Sequence, residues 1–193
     1  TSAARVHGNE ELVILDVPEE RLEDLAELTE RGVYLEPPAG TSLAEFLCRD
    51  LGLGAAGIDA PLCVFLDGMR VCDPTAVSVE EESTVTLAAA LPGSPTCRLP
   101  NELAPPLAMH TASLGETNQV RLVVHDMGPT HLLRSILTHG VLVRDEDLDD
   151  VLNSLSDDFW SSVGDLRVRG RTLDSSRYRV GIPRTGALLR FRL

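Results

Sequence analysis

Two cysteines, Cys63 and Cys72, are the residues whose type and spacing most directly suggest chemistry. Between them, Asp67-Gly68 separates two short runs of strand-forming residues. This pattern predicts a two-residue hairpin, because a type I′ turn needs positive φ at both central residues. The turn fixes the register and places Cys63 opposite Cys72, where Cα atoms of a non-hydrogen-bonded pair are about 4.5 Å apart. That distance is within reach of a disulfide.

The same register sorts the hairpin side chains onto two faces. The predicted core side carries Val64, Leu66, Met69 and Val71, and the other side carries Cys63, Phe65, Arg70 and Cys72. Arg70 lies two residues from Cys72 on one face, where a guanidinium group favours a thiolate. We therefore predict a redox site of Cys63, Cys72 and Arg70. The alternative is that both cysteines are small apolar packing residues on a half-buried face.

Two aromatic residues are candidates for an interaction face. Phe65 lies on the cysteine side of the hairpin. Trp160 adjoins the apolar stripe of a helix predicted over residues 145–163, rather than lying on it, which suggests partial exposure. The alternative for Trp160 is a place in the core or between repeats.

The remaining ionisable residues form no metal or catalytic pattern. His131 and His139 lie eight positions apart on a predicted helix, too far along its axis to share one metal. The acidic run 145–150 lacks the glycine and glutamate of a calcium loop and suits the first turn of a helix. No nucleophile elbow, dinucleotide fingerprint or zinc-protease motif occurs. We predict no catalytic residue, no metal and no cofactor.

Charge is unevenly distributed along the chain. The net charge is −13, lysine is absent, and all 17 basic residues are arginine. The last 28 residues hold 8 arginines and one acid, and these arginines alternate along predicted strands as on a solvated sheet face. Overall acidity argues against a nucleic-acid partner. No apolar run is long enough to span a membrane, and four cysteines without CxxC spacing fit a reducing, cytoplasmic location.

An internal duplication organises the chain. The order strand, helix, short strand, helix, hairpin, strand is predicted over residues 12–92 and again over 119–193, with Arg169-Gly170 at the second hairpin turn. Residues 1–11 are predicted to form a flexible arm. Residues 93–118, rich in proline and small polar residues, are predicted to form a linker. The pattern predicts an α+β fold of two pseudo-symmetric tandem repeats with mixed or antiparallel strand pairing.

The first repeat resembles the β-grasp (ubiquitin-like) fold. GTSLAEFL at 40–47, VFLDGMRV at 64–71 and EESTVTLAAALPG at 81–93 occupy the places of the helix start, the hairpin and the last strand in the sulfur carriers of thiamine and molybdopterin synthesis. The resemblance implies a β-grasp-like unit. Those carriers end in a free Gly-Gly, whereas here the first copy continues through Ser94 and the second ends in Leu193, so carrier chemistry is not implied.

These observations lead to two hypotheses. The first is a non-catalytic interaction or adaptor module, in which sheet faces or edge strands contact a protein partner or a second copy of the chain. The second is a thiol-redox or small-ligand protein that uses Cys63 and Cys72. We favour the first, without a nucleic-acid or membrane partner, because the chain carries no catalytic motif.

Overall fold

The protein is α+β, and its described strands form one mixed ten-stranded sheet. The computed structural model describes residues 11–53, 62–89, 117–125, 133–134, 136–137, 140–168, 171–173 and 188–192. The strands are β1 Glu11–Leu15, β2 Val33–Leu35, β3 Leu62–Leu66, β4 Met69–Val71, β5 Thr84–Ala89, β6 Val120–His125, β7 Val141–Arg144, β8 Leu166–Val168, β9 Arg171–Leu173 and β10 Leu188–Arg192. The helices are a 3₁₀ helix Glu19–Leu25, α1 Ala26–Arg31, α2 Leu43–Glu45 with a π-helical turn Phe46–Asp50, α3 Asp145–Ser154 and α4 Asp157–Ser162.

Both predicted hairpins have the expected register. Asp67 and Gly68 adopt φ of 51° and 77°, and Phe65 pairs with Arg70 across the turn. The second hairpin pairs Arg167 with Thr172, which leaves a two-residue connection. The predicted alternation of faces is therefore confirmed in both hairpins.

Helix α2 begins at a capping box formed by Ser42 and Glu45. The Glu45 amide donates to Ser42 Oγ at 3.2 Å, and the Ser42 amide donates to Glu45 Oε2 at 3.0 Å. Each side chain thus satisfies a backbone N–H that the first turn leaves without a partner. After a single α-turn the chain widens into the π-helical turn and ends at Gly52, where φ is 67°.

The prediction of a single helix over residues 145–163 is wrong, because the chain forms two helices there. Leu155 has extended geometry, with φ −70° and ψ 143°. Ser156 then caps α4 by accepting a hydrogen bond from the Phe159 amide at 3.2 Å. Ser-Asp-Asp is a helix-start sequence, and this local signal overrides the continuous apolar stripe.

The strand order is β4-β3-β5-β6-β2-β7-β10-β1-β8-β9. Strand β1 pairs with β10 and β8, which belong to residues 119–193. Strand β6 pairs with β5 and β2, which belong to residues 12–92. The first strand of each half is therefore inserted into the sheet of the other half. This order does not confirm a tandem pair of β-grasp units.

The two halves meet where β2 lies beside β7. Tyr34 pairs with Leu142 at this junction. On the helical side of the same junction, the Arg31 guanidinium contacts Asp150 at 3.0 Å and Asp147 at 3.7 Å, so it ties α1 to α3. One sheet thus runs through both halves.

One apolar core lies on the inner face of the sheet. Every described helix contributes to it, through residues such as Leu28, Phe46, Ile136, Leu148 and Phe159, together with the inward strand residues such as Val64, Leu87, Leu122, Val33 and Val13. Met69 was predicted to face the core and has the predicted register, but it is 73% exposed. It lies in the edge strand β4, where described helices do not reach over it.

Parts of the predicted organisation fall outside the described residues, including the arm up to residue 10 and the linker from 93 to 116. The described end of the linker is tied to the first half, because Thr117 bridges Pro38 and the Asn118 amide donates to the Pro37 carbonyl at 2.9 Å. Among the described segments, no helix combines the length and apolar character needed to cross a membrane.

Candidate functional site

The candidate site is the outer face of the sheet, which we define by the strand positions that alternate with the core positions. Its members with described side chains include Cys63, Phe65, Arg70, Thr86, Arg121, Val123, His125, Tyr34, Leu142, Arg144, Ile14, Arg167 and Thr172. The described helices contribute apolar residues to the core on the opposite, inner face. On the outer face, Leu142, Val123 and Cys63 are buried as well, at 2%, 8% and 9% exposure, whereas Arg70, His125, Arg144, Arg167 and Thr172 are exposed.

Arginine is the charged residue at the outer positions of the described strands, although Asp165, which directly precedes β8, pairs with Arg167 at 2.9 Å. Across the ten described strands, the charged outer positions are Arg70, Arg121, Arg144, Arg167, Arg190 and Arg192, with His125 and no carboxylate. Arg190 and Arg192 are placed there by register, since they pair with Leu142 and Ile14. In a chain with a net charge of −13, this concentrates positive charge on one side of the molecule.

The centre of the outer face combines arginine with an aromatic ring. Tyr34 on β2 pairs with Arg121 on β6 and with Leu142 on β7. The Arg144 guanidinium lies 5.8 Å from the centroid of the Tyr34 ring, within cation–π range. Arg144 is exposed and Tyr34 is half-buried. No ion pair between described residues involves Arg144.

Arg121 is held in place by the end of α1. Its Nη2 donates to the Arg31 carbonyl at 2.7 Å. A Cβ at Gly32 would lie 2.6 Å from Arg121 Nε, and Gly32 has φ of 104°. The helix can therefore end there, against the arginine, only with glycine.

The helical side of the molecule is acidic. Its exposed carboxylates are those of Glu19, Glu20, Glu23, Asp24, Glu30, Glu146, Asp150, Asp157 and Asp158. Hydrogen bonds to Glu27, and secondly to Asp150, raise the pKa of Arg31 above its ordinary value. This arginine is therefore paired with carboxylates of the acidic cluster. The molecule thus has a basic sheet side and an acidic helix side.

The predicted redox group lies at one end of the outer face. Arg70 Nη2 lies 3.5 Å from Cys63 Sγ. Cys63 is buried and Cys72 is exposed, and neither forms a disulfide. The ladder ends at the Val64–Val71 pair, so Cys72 follows directly after the strand. The structure brings Arg70 to Cys63, but it does not join Cys63 to Cys72.

The two predicted interaction-face aromatics are not brought together. Phe65 is half-buried on the outer face, where it pairs with Thr86 and Arg70. Trp160 is 9% exposed and packs in the core, with its ring 5.5 Å from Phe159 in an edge-to-face arrangement. Phe65 therefore stays a candidate contact residue, whereas Trp160 lies within the inner core.

The described residues contain no group of three or more side chains that could hold a metal. His125 is exposed at the end of β6, while His131 and His139 lie outside the described residues. The acidic run occupies the start of α3, as its charge pattern predicts.

Sequence reasoning did not single out Tyr34, Arg121 or Arg144. Their signal was the alternation of arginine with apolar residues in strands such as VRLVVH and VLVR. That alternation shows which residues share a face within one strand, but it does not show which strands are neighbours. Comparisons of the chain with protein-family models, curated proteins and solved structures found no match.

Proposed function

We propose that this protein is a non-catalytic protein–protein interaction module whose binding surface is the outer face of its sheet. The observation that carries the proposal is the segregation of charge, with arginine at every permanently charged outer position of the described strands. A surface needed only for solubility has no reason to exclude carboxylates in a protein with 30 acidic residues. The partner is another protein or a second copy of this chain.

We also propose that the architecture arose by duplication of a β-grasp-like unit. It is supported by the repeated order of elements and by the repeated hairpin register. In each half, the first strand makes a parallel pair with the last strand of the other half. We also propose a cytoplasmic location, which is supported by the absence of a disulfide among the described cysteines Cys48, Cys63 and Cys72.

Site-specific photo-crosslinking in living cells tests the binding surface. Benzoylphenylalanine replaces Phe65 or Thr172 on the outer face, and Glu20 or Glu30 on the helical side as matched controls. The proposal expects a discrete protein adduct from the outer positions and not from the controls. Adducts from the helical side instead, or no adduct from either side, would contradict it.

A thiol-redox role is the second candidate, and the contact between Arg70 and Cys63 favours it. In this reaction Cys63 and Cys72 lose two protons and two electrons to oxidised glutathione, which leaves as two reduced molecules, and a disulfide forms. Thiol titration before and after treatment would show a loss of two thiols in wild type and none in Cys63→Ser or Cys72→Ser. Mixed disulfides with glutathione in place of an internal bond would exclude the pair as a redox couple.

A further inference from the structure

We infer that two copies of this chain exchange halves and form a dimer, in which each lobe combines residues 11–89 of one copy with residues 117–192 of the other. The partner is therefore a second copy of the chain. The basis is the reciprocal placement of the first strands. Strand β1 lies between β8 and β10 of the second half, and β6 lies between β5 and β2 of the first half. This inference does not depend on the outer face as a binding surface.

Each half is incomplete without a strand of the other half. Val13 and Leu15 of β1 and Leu122 of β6 are fully buried, so both inserted strands contribute to the core. Removal of β1 would leave backbone N–H and C=O groups of β8 and β10 without partners, and such groups are costly when they stay unpaired. A half that has separated from its own partner half therefore binds the matching half of any copy within reach.

Exchange preserves the contacts that hold the two halves together. These contacts include the pairing of Tyr34 with Leu142 and the ion pairs of Arg31 with Asp147 and Asp150. Each contact joins a residue before position 90 to a residue after position 116, so every lobe of the dimer repeats it. The balance between monomer and dimer is therefore set by the connection between the halves and by the protein concentration.

The connection is long enough for both forms. Thr117 bridges Pro38 in the same register in which β6 pairs with β2, while Ala88 pairs with His125. Within one copy, the chain must therefore return from the level of His125 to that of Thr117, about 26 Å along the strand. The 27 residues numbered 90–116 reach up to about 90 Å when extended, so they can join halves within one lobe or between two lobes.

Concentration and connection length select the form. A connection of this length holds the two halves at an effective concentration on the order of 1 mM, so the monomer is the main form in micromolar solution. Deletion of residues 92–113 leaves five residues between Ala89 and Thr117, and these reach about 22 Å at most. That is shorter than the return path within one copy. The shortened chain can therefore complete its fold only by exchange.

Refolding from denaturant tests the inference, with the products separated by size-exclusion chromatography and sized by light scattering. The full chain is refolded at about 10 μM and about 1 mM, and the dimer fraction should increase at least about tenfold. The deletion variant should be a folded dimer at the lower concentration. A dimer at both concentrations is ordinary association unless a crosslink shows that its halves have exchanged.

A disulfide between the halves identifies the exchange. Ile14→Cys and Arg167→Cys lie opposite each other in β1 and β8, and the four native cysteines are replaced by alanine. Oxidation should link two chains covalently in the dimer peak and none in the monomer peak. The matched control is Phe65→Cys with Thr86→Cys, a register pair within the first half, which should link no two chains in either peak.

A folded monomer of the deletion variant would overturn the inference, and so would a dimer peak in which the pair across β1 and β8 links no chains. If the deletion variant does not fold, the full chain refolded at high concentration decides. Absence of a covalently linked dimer there would show that the halves do not exchange between copies.

Discussion

Arg144 has the features of a solubilising residue when its strand is read alone, because it is an exposed arginine at a strand end. The residues beside it in the sheet indicate a different role. Tyr34 lies under its guanidinium, and Arg121 pairs with Tyr34 from the other side. These three residues come from separate strands, so no local sequence pattern could have grouped them. The cysteine pair was predictable because one turn sets its register.

At the residue scale, the three described cysteines should differ in reactivity. Cys72 is exposed and Cys63 is buried, while burial raises the pKa of the Cys48 thiol. In a Cys97→Ser background, iodoacetamide should modify Cys72 first, Cys48 more slowly, and Cys63 only on unfolding. Because the thiolate is the reactive form, raising the pH should accelerate the reaction of Cys48.

Peptide mass spectrometry of timed samples would measure this order, with Cys72→Ser as the control that loses the fast phase. Modification of Cys63 as rapidly as Cys72 would mean that the hairpin face is open at Cys63.

Gly32 provides a second prediction at this scale. Gly32→Ala should destabilise the protein by about 1–3 kcal/mol, because a side chain there must adopt strained backbone geometry and displace Arg121, whose Nε would lie 2.6 Å from the new Cβ. Urea unfolding would measure the loss. Gly40→Ala is the matched control, since its φ is also positive but no atom lies within 4 Å of its Cβ. An equal loss in both variants would remove the role assigned to Arg121.

At the scale of elements, local signals predicted most of what formed. The Asp67-Gly68 turn occurs as predicted, and the short strand predicted between the two helical segments of the first half is Val33–Leu35. The error at residues 145–163 arose because a continuous apolar stripe was given more weight than the serine cap at Ser156. A capping residue determines where one helical turn begins. An apolar stripe, by contrast, continues across a break between two helices when both helices pack against the same core.

The capping box should contribute measurably to stability. Ser42→Ala removes the acceptor of the Glu45 amide and should cost about 1 kcal/mol, as other N-cap serines do. Thermal unfolding followed by circular dichroism would show it. Ser161→Ala is the control, because the Ser161 hydroxyl donates to the Asp157 carbonyl within α4 and caps nothing. A similar effect of both substitutions would contradict the assigned role.

At the scale of the whole molecule, the sequence pattern predicted two α+β halves. It did not predict that the halves exchange their first strands. The strands β1 and β6 have similar apolar patterns, LVIL and LVV, so the pattern does not decide which half each one enters. Inner positions of both halves nevertheless join one core, and Tyr34 of the first half pairs with Leu142 of the second. The proposed binding surface therefore depends on both halves.

The central claim, one sheet completed by strands from both halves, is best tested by cutting the chain between them. A specific protease site introduced within residues 93–116 allows cleavage after folding. We predict that the two fragments stay together through size-exclusion chromatography and separate only in denaturant, because β1 and β6 remain paired with the opposite fragment. Separation under native conditions into two folded fragments would contradict it and would support independent tandem domains.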